Sequence, residues 1–321
     1  MRELPTLIMI VRNEEAVLPR CIKSTLECVS GALIIDTGSD DPARLERVAR
    51  DALEGRPLRW FKRPWKHFAH NRTELVRFAR EGWVKSEYLL TLDADEVLYA
   101  PPGQGLGPLD ADVYHIDLHY GGLVYPRASV FRRNLPWRYE CPVHEVLVCP
   151  GRALQWGKLP HCCVVPHPDG ARSADTQKYR KDAEVLHEHL HYNKTDARAQ
   201  YYYAQSLRDA GDYECAARAY AQREEMGGWA EEVFSAALER AKCLERLTPH
   251  PTDPVEFSRV LDAYMHAKSL RPTRAEPLWH GARFARERGF PAIADILEQS
   301  RRGMPVPPDL LFVERGAYEG N

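Results

Sequence analysis

Through the first third of the chain, apolar runs of strand length alternate with apolar residues at helical spacing. Positions 6–11 (TLIMIV) are continuously apolar and stop at the polar turn Arg12-Asn13-Glu14-Glu15. That is the pattern of a strand buried on both faces of a parallel sheet. Over 16–28, Val17, Leu18, Cys21, Ile22 and Leu26 recur at helical spacing. A second strand is predicted at 32–35, closed by Asp36-Thr37-Gly38-Ser39-Asp40. A helix at about 43–53, a strand at 58–62, a helix at 68–81 and a strand at 88–92 follow. Strands alternating with helices imply right-handed βαβ units and a mostly parallel sheet. Over 113–164 the texture becomes strand and turn. Val113 to Leu118 alternates with period two, as does part of 129–133, which predicts a mixed or antiparallel extension of the sheet.

Past about residue 172 strand signals vanish. Ala204, Leu207, Gly211, Tyr213, Ala216, Ala217 and Tyr220 show the alternation of small and large residues found in a tetratricopeptide-type helix pair, whose period is about 34 residues. Further pairs are predicted from 229–247 and 275–289, with a leading helix at about 176–191 and an inserted turn at 248–254. The Tyr201-Tyr202-Tyr203 run reads as repeat packing. His187, His189 and His191 lie in one predicted helix at spacings that do not share a face. The apolar 309–313 segment is expected to pack back onto the protein. The expected division is 1–171 for the α/β domain and 172–321 for the helical one.

Composition narrows this picture without changing it. The 321 residues are 44% hydrophobic and 28% charged, which suits two globular domains. A net charge of −2 with no block of one sign disfavours a general polyanion binder. The N-terminus lacks the apolar run and cleavage pattern of a secretory signal, and no stretch is long enough to span a bilayer, so a cytoplasmic location is expected. The eight cysteines include no matched pair of CxxC spacings, so they read as reduced thiols rather than zinc ligands.

The polar residues fall at strand ends, where open α/β sheets bind their ligands. Arg12, Asn13 and Glu14 follow the first strand, Asp36 closes the second, and Asp93-Ala94-Asp95-Glu96 follows the fourth. Carboxylates on a buried strand are costly unless paired or metal-bound. Mg²⁺ and Mn²⁺ commonly join one or two carboxylates to substrate phosphates. A DxD triad alone is as easily a solvated acidic turn. Here it comes third in a series: Thr6 to Glu15, Ile34-Ile35-Asp36-Thr37-Gly38-Ser39-Asp40-Asp41, then Thr91-Leu92-Asp93-Ala94-Asp95-Glu96. Together these resemble the three successive signatures of family 2 glycosyltransferases. Trp65 to Arg72 is similar to the segment that opens the helix beside the donor pyrophosphate. Trp137-Arg138-Tyr139 and Val143-His144-Glu145 resemble the acceptor-side segment of a subgroup that often carries tetratricopeptide repeats. The likeness extends into the helices, through Gly227-Gly228-Trp229 and the stretch from Arg271 to Pro277.

The resemblance implies an α/β domain of the GT-A type, Rossmann-like and nucleotide-sugar-binding, followed by an all-α tetratricopeptide-like repeat domain. It implies a nucleotide diphosphate sugar donor, UDP-linked by preference, and Mn²⁺ or Mg²⁺ as cofactor. Ile10, Val11 and Arg12 would line the base pocket, and Asp36 would accept from base or ribose. Glu14, Asn71, Arg72 and Ala94 complete the expected donor site. Asp93 would face the ribose or the metal, Asp95 would ligate the metal, and either His167 or His161 would add a ligand, His167 being preferred because it follows an apolar strand. An inverting transfer needs a general base. Glu145 is the candidate, with His144 beside it on the other face of an expected strand and the exchange of roles left open. The acceptor, whether peptide, saccharide, lipid-linked precursor or modified nucleic-acid base, is not encoded legibly, and the repeats leave room for protein partners or self-association. Two other classes compete. One is a catalytically inactive domain serving as a scaffold. The other is a nucleotidyltransferase, which calls for an early Gly-rich loop, whereas 12–18 contain no glycine.

Overall fold

The computed structural model describes residues 4–121, 123–248, 253–308 and 312–319. The chain forms two compact units, Met1–Thr176 and Gln177–Asn321. The first is built on an eight-stranded mixed sheet. Four parallel strands lie in the order β3 (Leu58–Lys62), β2 (Gly31–Asp36), β1 (Thr6–Val11), β4 (Tyr88–Thr91). The sheet continues through β7 (Leu123–Arg132), β6 (Val113–Tyr120), β10 (Trp156–Pro166) and β5 (Glu96–Tyr99). β7 is antiparallel to β4 and β6, β10 is parallel to β6, and β5 is antiparallel to β10. A separate two-stranded ribbon joins β8 (Arg138–Glu140) to β9 (Val146–Val148).

The continuous apolar strands serve both faces. On one face Leu7, Met9, Val11 and Ile34 pack with Leu18, Cys21 and Ile22 of α1 (Leu18–Thr25) and with Leu45 and Ala49 of α2 (Pro42–Ala52). On the other, Ile8, Leu33, Ile35 and Leu89 pack with Leu75, Val76 and Phe78 of α3 (Phe68–Phe78). Local signals set the helix starts: the Asp41 carboxylate accepts from Arg44 N–H with Pro42 in the first turn, and His67 Nδ1 accepts from His70 N–H.

Some expected elements shift. The helix predicted over 16–28 begins at Leu18, with Pro19 in its first turn. α3 stops at Phe78, followed by a π-turn in which Gly82 takes φ +94°. The strand read at 129–133 is the end of a longer one starting at Leu123, and β5 goes beyond the sequence expectation. His144 and Glu145 are not in a strand. They lie between β8 and β9, in a segment where Cys141 and His144 have φ of +68° and +54°.

The second unit contains, among the described residues, α4 (Lys178–Tyr192), α5 (Ala197–Asp209), α6 (Tyr213–Glu225), α7 (Ala230–Leu247), α8 (Pro254–Leu270), α9 (Glu276–Glu287) and α10 (Pro291–Arg301). Each helix packs on the next, with additional contacts between α5 and α7 and between α7 and α9, the near-neighbour stacking of a repeat array. The small residues are where the helices meet: Ala204, Ala216 and Ala217 pack around Tyr201 and Tyr220. The caps Asp196, Asp212 and Asp253 start three of these helices. Of the inserted turn, 249–252 lie outside the described residues, as do 309–311 of the apolar C-terminal segment. Phe312 and Val313 do pack onto this unit, against Tyr201 and Trp229 and against the cluster around Ala275. No helix among the described residues is long and apolar enough to cross a membrane.

Candidate active site

The carboxyl ends of β1, β2 and β4 gather the polar residues that the sequence puts there. Asp36 is 1% exposed. Its Oδ1 accepts from Gly38 N–H (3.0 Å), Ser39 N–H (2.8 Å) and Ser39 O–H (2.9 Å), while its Oδ2 is buried without a partner. Buried acceptors are seldom left unmatched, so this oxygen has room in its bonding for a further donor, a water or a ligand. Asn13, at φ +56°, clips the first loop to the second: its N–H donates to Ser39 Oγ (2.9 Å) and its Oδ1 accepts from Asp40 N–H (2.8 Å). Ile10 is partly exposed, Val11 buried and Arg12 exposed.

A chain of ion pairs crosses the β4 end. Arg72, whose side chain is 9% exposed, binds Asp93 through Nη2 and lies 2.6 Å from Glu145 Oε1 through Nε. Its guanidinium also sits over the Tyr139 ring, 5.8 Å from the centroid. Glu96 forms a two-point pair with Arg127 (2.6 and 2.7 Å), and its Oε2 accepts from the Asp93 N–H at 2.9 Å. Burial raises the Asp93 pKa, but Arg72 and Arg127 outweigh it and hold the carboxyl below its usual range. Asp95 has no such support: burial, Asp93 and Glu96 push it up to about 6. Glu14 is pushed up to about 7, by burial first and then by Asp95 and Asp93, against the opposing hydrogen bond from Ala171.

The loop after β10 closes over these two carboxylates. His167 N–H donates to the Asp95 carbonyl (2.9 Å), and Ala171 N–H donates to both Glu14 carboxylate oxygens (3.2 Å each). Arg20 of α1 grips Asp169 at two points, 2.7 and 2.6 Å. Gly170 lies so close that a Cβ there would meet Asp95 Oδ2 at 3.0 Å. His167 Nε2 is buried without a hydrogen-bond partner. His161, by contrast, lies exposed within β10, lining a hollow of about 400 Å³ with Tyr99, Asp117 and His119.

Asn71 is fully buried, and both ends of its amide hold the loop before α3: Oδ1 accepts from Lys66 N–H and Nδ2 donates to the Pro64 carbonyl, each at 3.0 Å. Ala94 is buried, and His144 is exposed. Sequence reasoning missed Arg127 and the role of Glu96, whose pairing spans 31 residues and leaves no local signal. Among the described residues no group of three His, Cys, Asp or Glu side chains is arranged to hold a metal ion. A partial set has the chemistry for a cation: Asp95, raised by burial and then by Asp93 and Glu96, and the buried, unpartnered Nε2 of His167, whose backbone N–H donates to the Asp95 carbonyl. Donor phosphates would complete such a set, the usual situation for Mg²⁺.

Residues 6–101, from β1 through the carboxylate turn and β5, match the model of glycosyl transferase family 2. The first unit therefore carries a family 2 glycosyltransferase domain, of the GT-A-like class that its mixed sheet defines. A tetratricopeptide (TPR) repeat-containing protein of Synechococcus elongatus is 32% identical over 151 residues, covering 44% of this chain and 35% of the relative. The chain thus spans about a third of the length of that curated relative. Among solved structures it is similar to S. aureus TarS 1–349, with a TM-score of 0.34 and 12% identity over 96% of this chain and 94% of that one.

Proposed function

We propose that the protein is a metal-dependent, inverting glycosyltransferase that moves a sugar from a nucleotide diphosphate sugar, UDP-linked by preference, to an acceptor that is a peptide, a saccharide or a modified nucleic-acid base. The observation that carries this reading is the unpartnered, buried Oδ2 of Asp36 at the same sheet edge as Asp93 and Asp95. A uracil or ribose donates hydrogen bonds, and Asp36 is an acceptor already fixed in place by the turn at 37–39. Ile10, Val11 and Arg12 flank the base, and Asp93 faces the ribose or the metal. Asp95 and His167 would hold Mn²⁺ or Mg²⁺, with Glu14 nearby. When bound, the cation offsets the charge that builds on the departing diphosphate. Arg72 adds positive charge to the same region, and Asn71 holds the loop that leads into its helix. Glu145 takes the proton from the acceptor; its pairing with Arg72 keeps it oriented towards the Asp93 side of the site. His144 is the runner-up for that role. The division 1–171 and 172–321, a cytoplasmic location, and protein binding or self-association through the repeats belong to the same reading. The test is hydrolysis of UDP- and GDP-sugars with and without Mn²⁺ or Mg²⁺. Metal-dependent release of nucleoside diphosphate is expected, and its absence with every donor would remove the proposal.

A further inference from the structure

β6 and β7 pair with each other beyond the point where the sheet stops supporting them. The last β10 partner of β6 is at Leu118, and the last β4 partner of β7 is at Val130. The outer part of the hairpin is therefore a two-stranded ribbon on its own. The register sets what its faces carry. Ile116 lies opposite Arg127, Leu118 opposite Tyr125, and Tyr120 opposite Leu123. Side chains alternate along each strand, so Arg127, Tyr125, Tyr120 and Leu123 share one face. Arg127 is the residue that grips Glu96 and, through it, the Asp93 amide. The face that begins at the carboxylate centre thus continues outward as two tyrosines and a leucine, 43%, 49% and 55% exposed. Burial pushes the Tyr125 hydroxyl up, and the other groups acting on it are Arg127, Glu96, Tyr120 and Asp93, which ties the ring to both the active centre and its neighbour tyrosine.

We propose that Tyr125 and Tyr120 form an acceptor platform on which the rings of a saccharide chain stack. The proposal rests on the glycosyltransferase reading above. An exposed apolar ribbon elsewhere on the molecule would have no defined occupant. This one runs away from the reacting centre, so what lies on it is the part of the acceptor beyond the attacked hydroxyl. Tyr125 and Tyr120 are diagonal neighbours across the strand pair, about 7–8 Å apart, so one extended chain can lie across both rings. Each offers a flat apolar face and a hydroxyl at its rim. That matches a pyranose, which has an apolar face and polar edge groups. This face of the outer ribbon carries no charged side chain beyond Arg127, so it has nothing to read the charged residues of a peptide.

The experiment titrates the full chain, loaded with UDP and Mn²⁺, with maltotriose, cellotriose, mannotriose and chitotriose by ligand-observed NMR, and with the peptide Gly-Ala-Trp-Ala-Gly as competitor class. At least one trisaccharide should bind. Tyr125→Ser and Tyr120→Ser should each weaken it about tenfold, and Tyr125→Phe about twofold or less. Tyr125→Leu keeps the apolar bulk without the flat ring and should behave like the serine variant. Melting curves matching the wild type keep any loss attributable to the platform, and the leucine variant serves if the Tyr125 serine variant fails to fold. Binding of no trisaccharide, wild-type binding in the serine and leucine variants, or tyrosine-dependent binding of the peptide alone would each overturn the proposal. Metal-dependent donor hydrolysis by the unaltered chain separates the two failures: if it is present, only the platform is lost; if it is absent, the glycosyltransferase reading goes too.

Discussion

Two partly buried carboxylates of the sheet unit, Asp95 and Glu14, behave oppositely to Glu314 and Glu239 of the helical unit. In the helical unit burial is answered by cations. Burial raises Glu314, but His280 (2.9 Å) and Lys242 (2.6 Å) bring it down to about 2, and Lys242 with Arg208 holds Glu239 below its usual range. In the sheet unit Asp95 and Glu14 are left at about 6 and about 7 by burial and by other carboxylates. The signs of their stability terms differ accordingly. A depressed acid contributes stability above its unfolded pKa and loses it as pH falls through the folded value. A raised acid does the reverse: it weakens the fold progressively as pH rises from the ordinary carboxylate range to about 7. At neutral pH these charges of the helical unit hold it together, whereas Asp95 and Glu14 work against the fold of the sheet unit. Such a cost is expected where charge is kept for a ligand.

The sharpest way to break this contrast is Asp95→Asn. Metal-dependent donor turnover should fall by at least about 10²–10³-fold. The melting temperature of the metal-free protein should rise at pH 7.5, because an unsupported charge is removed. Differential scanning calorimetry beside a hydrolysis assay checks both. A variant with wild-type turnover, or a metal-free protein that melts lower, would show that Asp95 is an ordinary supported surface acid. Glu145→Gln comes next. It keeps the shape beside Arg72 and loses the base, so transfer should fall about 10²–10⁴-fold with donor affinity nearly unchanged. Wild-type transfer by this variant would hand the role to another group.

Paired charge inside each unit permits a third test. Arg274 (1% exposed) holds Glu276 (0%) in the helical unit, and Arg127 holds Glu96 (4%) in the sheet unit. Removing one member of a buried pair costs about 3–5 kcal/mol. Arg274→Met and Arg127→Met should therefore both lower the urea midpoint of the unit concerned. Only Arg127→Met should also weaken donor binding, because Glu96 fixes the Asp93 amide. Equal donor affinity in the two variants would mean that the Glu96 pair is purely structural.

Much of this was legible in the sequence, and the exceptions share a cause. β1, β2 and β4 could be read because each is a short apolar run ended by polar residues, and the same punctuation marked Asp36, Asp93 and Asp95 as a group. The helical pairs were legible through the alanines that let helices approach. What could not be read depends on partners far along the chain or on backbone states that side chains do not announce. β5 is only four residues long, and its partner, β10, lies more than fifty residues later. Arg127 looks like a lone basic residue until Glu96 is brought to it. A positive φ at Cys141 is not signalled by its residue type, and one histidine is too weak a signal for the second at His144, so the His144-Glu145 segment read as a strand.

The smallest expected effect concerns the C-terminal segment. Glu314 is brought into the helical unit with Phe312, whose carbonyl accepts from Arg274 at 2.6 Å and whose ring lies 5.8 Å from both Tyr201 and Trp229. Lys242 and His280 address its carboxylate, and charge-assisted bonds such as that from Lys242 contribute about 1.5–3 kcal/mol. Glu314→Gln should thus lower the melting temperature at pH 7 by about 5 °C. The acid limb gives the more telling sign. Because the folded value of about 2 lies below the unfolded 4.5, the wild-type protein should lose this contribution as pH falls from about 4.5 towards 2. The two proteins should converge in stability over that window. A gap that stays constant down to pH 2.5 would mean that packing of the segment, and not its charge, holds it in place, and the contrast between the units would lose its helical side.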